Sequence, residues 1–149
     1  MNGKAPTLRL EAKRTLFYIL VLAGFLAGLW LKFLAGGVLR GNLYDVLLVF
    51  VLASTTFSVR TQRLLGPAAD EADPGRARRR QSALNRTSVA AWVAVAGIAE
   101  LVQGLLLSAT GEDVLGRFDP VDLACYLAGA ALSYAVNRLL YLDRTEPQG

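Results

Sequence analysis

The chain has 149 residues, of which 54% are hydrophobic and 19% are charged, and it contains one cysteine and no histidine. This composition excludes disulfides within one chain, metal sites built from His and Cys, haem ligation through His, and catalysis by Ser-His or Cys-His pairs. The formal net charge of +4 comes from basic residues placed beside apolar segments, so we expect no cofactor, no metal and no nucleic-acid partner.

Four apolar segments are long enough to cross a membrane, for which about 17–25 residues are needed. They cover about residues 16–34, 43–59, 89–107 and 121–142. The first segment is longer than the apolar core of a signal peptide, which has about 7–15 residues, and we interpret it as a retained anchor. The sequence therefore predicts an all-α polytopic membrane protein, with residues 1–149 forming a single domain built as a four-transmembrane-helix bundle.

The basic residues predict how the bundle is oriented. Lys and Arg precede the first span, fill the connection between the second and third spans, and follow the fourth span. The other two connections hold only Lys32, Arg40 and Arg117. Because cytoplasmic flanks carry an excess of Lys and Arg, we expect both termini and the long connection to be cytoplasmic.

The long connection, residues 60–87, contains two Pro-Gly turn signals, an acidic patch and an arginine-rich run over 76–80. Such a composition is typical of a segment without its own core, so we expect a flexible cytoplasmic loop here. We interpret the arginines as a topology anchor, and binding of anionic lipid is the alternative.

Polar and small side chains form a stripe on the fourth span, which we call the polar stripe. It consists of Asp122, Tyr126, Gly129, Ser133 and Asn137, whose spacings of three and four place them on one helical face. Polar and small residues favour helix–helix contacts in a membrane, so we expect the polar stripe to turn away from lipid.

Two glycines of the first span, Gly24 and Gly28, form a GxxxG pair and place Lys32 on about the same face. GxxxG pairs bring helices close together, either inside one chain or between two chains. We favour packing inside the bundle over dimerisation.

Glu100 lies within the third span, with Gln103 one turn further on. Inserting a charged side chain deep into a membrane costs about 2.5–3.5 kcal/mol on insertion scales. We therefore expect Glu100 either to pair with another side chain or to have a functional role. Candidate partners at the same end are Arg117, Lys32 and Arg40. A structural ion pair and a role in binding, proton handling or catalysis stay equally open.

The second and fourth spans add carboxylates near the same end. Asp119-Pro120-Val121-Asp122 has the pattern of a helix start, with an N-cap, proline at the first helical position and an acid in the first turn. Capping alone can therefore explain these two acids. We predict a binding site close to the outer face, formed by Arg40, Asp45, Glu100, Gln103, Arg117, Asp119, Asp122 and Tyr126, and we assign no catalytic residue.

Three motifs occur in order along the chain. They are R-x(4)-D-x-L at 40–47, E-x-x-Q at 100–103 and F-D-x-x-D-x-x-x-Y-x-x-G at 118–129. In these motifs the chain resembles the VanZ-like group and, more closely, a small bacterial family of four-helix integral membrane proteins of unknown function. The resemblance implies a multi-pass protein of a bacterial inner membrane with a role in the cell envelope.

Several functions fit these features. We favour a non-enzymatic protein that binds a lipid headgroup or an envelope precursor at the outer face, where arginine suits a phosphate. The second hypothesis is an intramembrane enzyme acting on a lipid-linked substrate, in which Glu100 and Asp119 or Asp122 divide the acid and base roles. The third is a small transporter, and the fourth an accessory subunit of a larger membrane complex. Membrane lipids are the expected partners, with a homo-oligomer as a further option.

Overall fold

The computed structural model describes residues 5–33, 38–72, 74–110 and 120–141, and all of these residues are helical. Helix α1 covers Ala5–Phe33, α2 covers Val38–Ala72, α3 covers Pro74–Thr110 and α4 covers Pro120–Val136. A π-helical turn over Asn137–Tyr141 continues α4. The predicted all-α class is confirmed for these residues, and α4 begins at Pro120 as the helix-start pattern predicts.

The described residues contain four helices that are long and apolar enough to cross a membrane. Each predicted span falls inside one of these stretches to within one residue, and the stretches are Glu11–Phe33, Asn42–Arg63, Gly75–Ala109 and Pro120–Tyr141. Large apolar side chains point outward along them, including Ile98 and Leu105, which are 60% and 69% exposed. A surface of this kind needs an apolar solvent, which indicates a multi-pass membrane protein.

The connection predicted as a flexible loop over 60–87 is helical on both sides of residue 73, so this part of the prediction is corrected. Helix α2 continues to Ala72 and α3 begins at Pro74. On α3 the buried residues Ala77, Gln81 and Asn85 follow one another at intervals of four. That interval buries one helical face, and composition alone did not show it because the buried residues are polar or small.

Helix α2 is the centre of the bundle. It packs against α1, α3 and α4, and most extensively against α4. Its closest approach to α4 is at Gly129, where an added Cβ would collide with the backbone carbonyl oxygen of Val46. Glycine is required here because the two backbones leave no room for a side chain.

The glycine pair of α1 packs against α2, as we predicted in preference to dimerisation. A Cβ on Gly24 would lie 3.0 Å from the ring of Phe50, whereas a Cβ on Gly28 would meet Leu47 at an ordinary 3.9 Å. The two helices are therefore tightly packed at Gly24, whereas at Gly28 a side-chain carbon could be accommodated.

An aromatic cluster closes the end of the bundle where α1 begins. Tyr141 packs edge-on against Phe17 and Phe57, with ring centres 5.1 Å apart in both pairs. The π-helical turn directs both Asn137 and Tyr141 into the interior. Because edge-on aromatic pairs stabilise a core beyond their buried area, this cluster holds α1, α2 and the end of α4 together.

We expect Gly129→Ala to destabilise the bundle by about 1–3 kcal/mol, the usual cost of forcing extra atoms into a packed interior. Thermal unfolding of the detergent-solubilised protein measures the effect as a lower midpoint. Gly97→Ala is the matched control, because a Cβ there meets nothing within 4 Å. Equal midpoints for the two variants would show that α2 and α4 are not packed as described.

Candidate functional site

Three helices bring carboxylates together at the end of the bundle where α2 and α4 begin. We call this group the acid cluster and define it as Asp45 of α2, Glu100 of α3, and Asp122 and Tyr126 of α4. Asp122 lies in the first turn of α4, and Tyr126 follows one turn later on the same face. The cluster therefore depends on the packing of α2 against α3 and α4.

Glu100 is the most buried member of the acid cluster, with 3% of its surface exposed. The hydroxyl of Tyr126 donates a 2.7 Å hydrogen bond to its Oε1 atom. Its second oxygen, Oε2, is buried, and no donor among the described residues bonds to it. A buried acceptor without a donor is costly, so Oε2 is a position where a further donor would be stabilised.

Asp45 and Asp122 form the second half of the acid cluster. Their carboxyl groups are near neighbours, and the carboxyl of Glu100 is also close enough to interact with Asp45 electrostatically. Carboxyl oxygens accept hydrogen bonds and carry negative charge when ionised. The cluster is consequently rich in acceptors and acidic in charge.

The remaining predicted site residues, and the candidate partner Lys32, lie outside the acid cluster or outside the described part of the chain. Gln103 is half-buried one turn beyond Glu100, and within the described part of the chain no hydrogen bond joins it to the acid cluster. Arg117 and Asp119 lie outside the described residues, and so does the side chain of Arg40. Lys32 belongs to the interface between α1 and α2, because its ammonium lies 5.4 Å from the centre of the Tyr44 ring.

The predicted inward orientation of the polar stripe is confirmed. Gly129, Ser133 and Asn137 are buried, and Asp122 and Tyr126 are half-buried. The stripe therefore faces the other helices along its whole length, and its two ends take part in separate groups of polar residues.

The second group is a buried amide–hydroxyl network formed by Ser54, Asn85, Ser133 and Asn137. The hydroxyls of Ser54 and Ser133 lie 2.9 Å apart, and Asn137 donates to Asn85 over 2.8 Å. Asn85 in turn donates to the backbone oxygen of Tyr134 over 3.2 Å. Sequence reasoning missed Ser54 and Asn85, because Ser54 lies in an apolar run and Asn85 in the segment predicted as a loop.

An apolar layer separates the network from the acid cluster. Val49 of α2 and Ala130 of α4 are 2% and 4% exposed, and Gly129 presses against Val46 in the same region. The two polar groups are therefore distinct sites.

Among the described residues, no group of three or more Asp, Glu, His and Cys side chains could hold a metal ion. The groups available in the acid cluster are carboxyl oxygens and one phenol. These accept hydrogen bonds and attract positive charge, so the arrangement suits an organic cation that donates hydrogen bonds.

Comparison with protein-family models, with curated proteins and with solved structures finds no match for this chain. Any assignment of function therefore rests on the residues and their geometry.

We expect Tyr126→Phe to destabilise the protein by about 1–3 kcal/mol, because it leaves a buried carboxylate oxygen without its donor. Thermal unfolding in detergent measures the loss. A double-mutant cycle with Glu100→Met, which keeps the side-chain length but has no oxygen to accept the bond, isolates the Tyr126–Glu100 interaction. Tyr134→Phe is the control on the same helix, since Tyr134 contributes its backbone oxygen to Asn85. Additive effects of Tyr126→Phe and Glu100→Met would contradict the interaction.

Proposed function

We propose that this chain is a VanZ-like multi-pass protein of a bacterial inner membrane, and that its acid cluster binds a lipid headgroup or an envelope precursor through an ammonium group. In this proposal both termini are cytoplasmic and the acid cluster lies near the outer face. The distribution of Lys and Arg supports the orientation, and the motifs at 40–47, 100–103 and 118–129 support the family.

The observation that carries the proposal is the buried Oε2 atom of Glu100, which has no hydrogen-bond donor among the residues that the structure describes. Tyr126 fixes the carboxyl group through the other oxygen, so Oε2 has a defined direction in which it can accept a bond. An ammonium group supplies both a donor and a charge of the right sign. Hydrogen bonds to charged groups contribute about 1.5–3 kcal/mol, which is enough to select one headgroup over another.

Asp45 and Asp122 supply further negative charge beside Glu100. A phosphate placed directly among these carboxyls would be repelled. Arg40 and Arg117 flank the cluster in sequence, and in the proposal they contact the phosphate of the same headgroup, for which the forked guanidinium is suited. A zwitterionic headgroup with an ammonium and a phosphate satisfies both kinds of residue.

The proximity of the Asp45 and Asp122 carboxyl groups favours a second candidate function, an intramembrane enzyme acting on a lipid-linked substrate. Two neighbouring carboxyl groups in different environments can act as acid and base in one reaction. In this alternative, Glu100 binds the substrate and the aspartate pair carries out proton transfer.

We expect the purified protein to retain phosphatidylethanolamine in preference to phosphatidylcholine, because the quaternary ammonium of phosphatidylcholine has no hydrogen to donate to Glu100. Glu100→Gln should reduce retention about tenfold or more, since a charged hydrogen bond is lost. Native mass spectrometry of protein exchanged into defined lipid mixtures measures both quantities.

Glu11→Gln is the control for this experiment, because Glu11 is an exposed acid near the opposite end of the bundle. The proposal fails if wild type shows no preference for phosphatidylethanolamine, or if Glu100→Gln and Glu11→Gln retain this lipid equally.

The enzyme candidate predicts that wild type releases the headgroup of radiolabelled phosphatidylethanolamine. Asp45→Asn should abolish this release while the lipid is still retained, because proton transfer needs the carboxyl pair and binding depends mainly on Glu100. Thin-layer chromatography of the products measures turnover. No product from wild type removes this candidate.

A further inference from the structure

A ligand-sized space lies between α1 and α2. It has a volume of about 460 Å³, and its walls include Leu22, Gly24 and Gly28 of α1 and Tyr44, Leu48 and Val51 of α2. This volume falls in the range of about 300–1,000 Å³ that is typical of sites for small molecules. We call this space the α1–α2 groove.

Both glycines of α1 line the groove, and neither carries a side chain that could fill it. A Cβ on Gly28 would lie in ordinary contact with α2, 3.9 Å from Leu47 and 4.0 Å from Tyr44. Nearly all of the lining side chains are apolar, and the exceptions are the hydroxyl groups of Tyr18, Tyr44 and Thr55. Water needs two to four polar partners in such a space, so hydrocarbon suits the groove better.

The length of the groove matches the depth of one lipid leaflet. Its lining residues on α2 run from Tyr44 to Thr55, which is about 16 Å at about 1.5 Å per helical residue. The hydrocarbon core of a bilayer is about 30 Å thick, so one leaflet is about 15 Å deep. An acyl chain that enters at the Tyr44 end would therefore stay within its own leaflet.

Charge distinguishes the two ends of the groove. At the Tyr44 end, the exposed ammonium of Lys32 lies 5.4 Å from the centre of the Tyr44 ring. At the other end, the hydroxyl of Tyr18 accepts a 2.7 Å hydrogen bond from the side-chain amide of Gln62 and lies 3.2 Å from the hydroxyl of Ser58. One end therefore offers a positive charge to a headgroup, and the other end is fixed by neutral hydrogen bonds.

We propose that the α1–α2 groove binds one acyl chain of an anionic phospholipid, whose phosphate contacts Lys32. This site does not depend on the proposed function, because the acid cluster contributes no residue to the groove lining. The two sites also select opposite charges. The acid cluster attracts a cationic group, whereas Lys32 attracts an anionic one.

The full-length protein, reconstituted in phosphatidylcholine vesicles that contain a minority of spin-labelled phosphatidylglycerol, tests this proposal. Electron spin resonance measures the fraction of labelled lipid immobilised by the protein, and labelled phosphatidylcholine gives the reference. We expect wild type to immobilise phosphatidylglycerol preferentially. Lys32→Gln should lower that preference about fivefold, as expected for one basic residue near the membrane surface.

Gly28→Leu tests the groove itself, because its side chain would occupy the space beside Leu47. We expect it to remove the preferential immobilisation. Ala27→Leu is the matched control on the exposed side of α1, and Lys13→Gln is the control for charge at the other end of that helix. Both controls should behave as wild type does.

If Gly28→Leu does not fold, Leu22→Trp is the second variant that fills the groove. Leu22 is 57% exposed, so a larger side chain can be placed there without entering the core. Wild-type immobilisation in Leu22→Trp or in Lys32→Gln would overturn the proposal. A wild-type dimer that Gly28→Leu or Leu22→Trp converts to monomer would also overturn it, because a second copy of the chain would then occupy the groove.

Discussion

Hydrocarbon supplies no hydrogen bonds, and this constraint determines how α4 packs. Each polar side chain of the stripe meets a partner on another helix: Tyr126 donates to Glu100, Ser133 contacts Ser54, and Asn137 donates to Asn85. Such bonds contribute only about 0.6–2 kcal/mol each in a membrane, whereas an unsatisfied polar group there costs several kcal/mol. The penalty for facing lipid, more than the strength of any bond, therefore sets the orientation of α4.

Helical periodicity predicted which face of each helix is polar, but it did not predict which faces meet. The spans and the inward polar stripe follow from spacing and composition alone. The contact between Glu100 and Tyr126 depends on the relative axial position of α3 and α4. Residue spacing within one helix does not determine that position. Asn85 was missed because it lies in the segment predicted as a loop, and its partner Asn137 is 52 residues away.

The long connection shows a different limit of sequence reasoning. Its turn signals and charges indicated a loop, yet α2 and α3 extend through it almost completely. Gly66-Pro67 lies within α2, where a proline usually disfavours helix. Tertiary packing outweighs this local preference for a loop, because small and polar residues at intervals of four, such as Ala77 and Gln81, are buried there. The resulting bundle places the acid cluster and the α1–α2 groove in separate regions, and we propose that they bind lipid groups of opposite charge.

The contact of Gly129 with Val46 has a consequence for the cell. In a membrane protein, a continuous row of hydroxyl, amide and carboxyl groups can conduct protons and so dissipate the proton gradient across the membrane. Here the backbones of α2 and α4 touch between the two polar groups, with Val49 and Ala130 buried beside them. In a bundle that crosses a membrane, this apolar contact would interrupt proton transfer between the acid cluster and the amide–hydroxyl network.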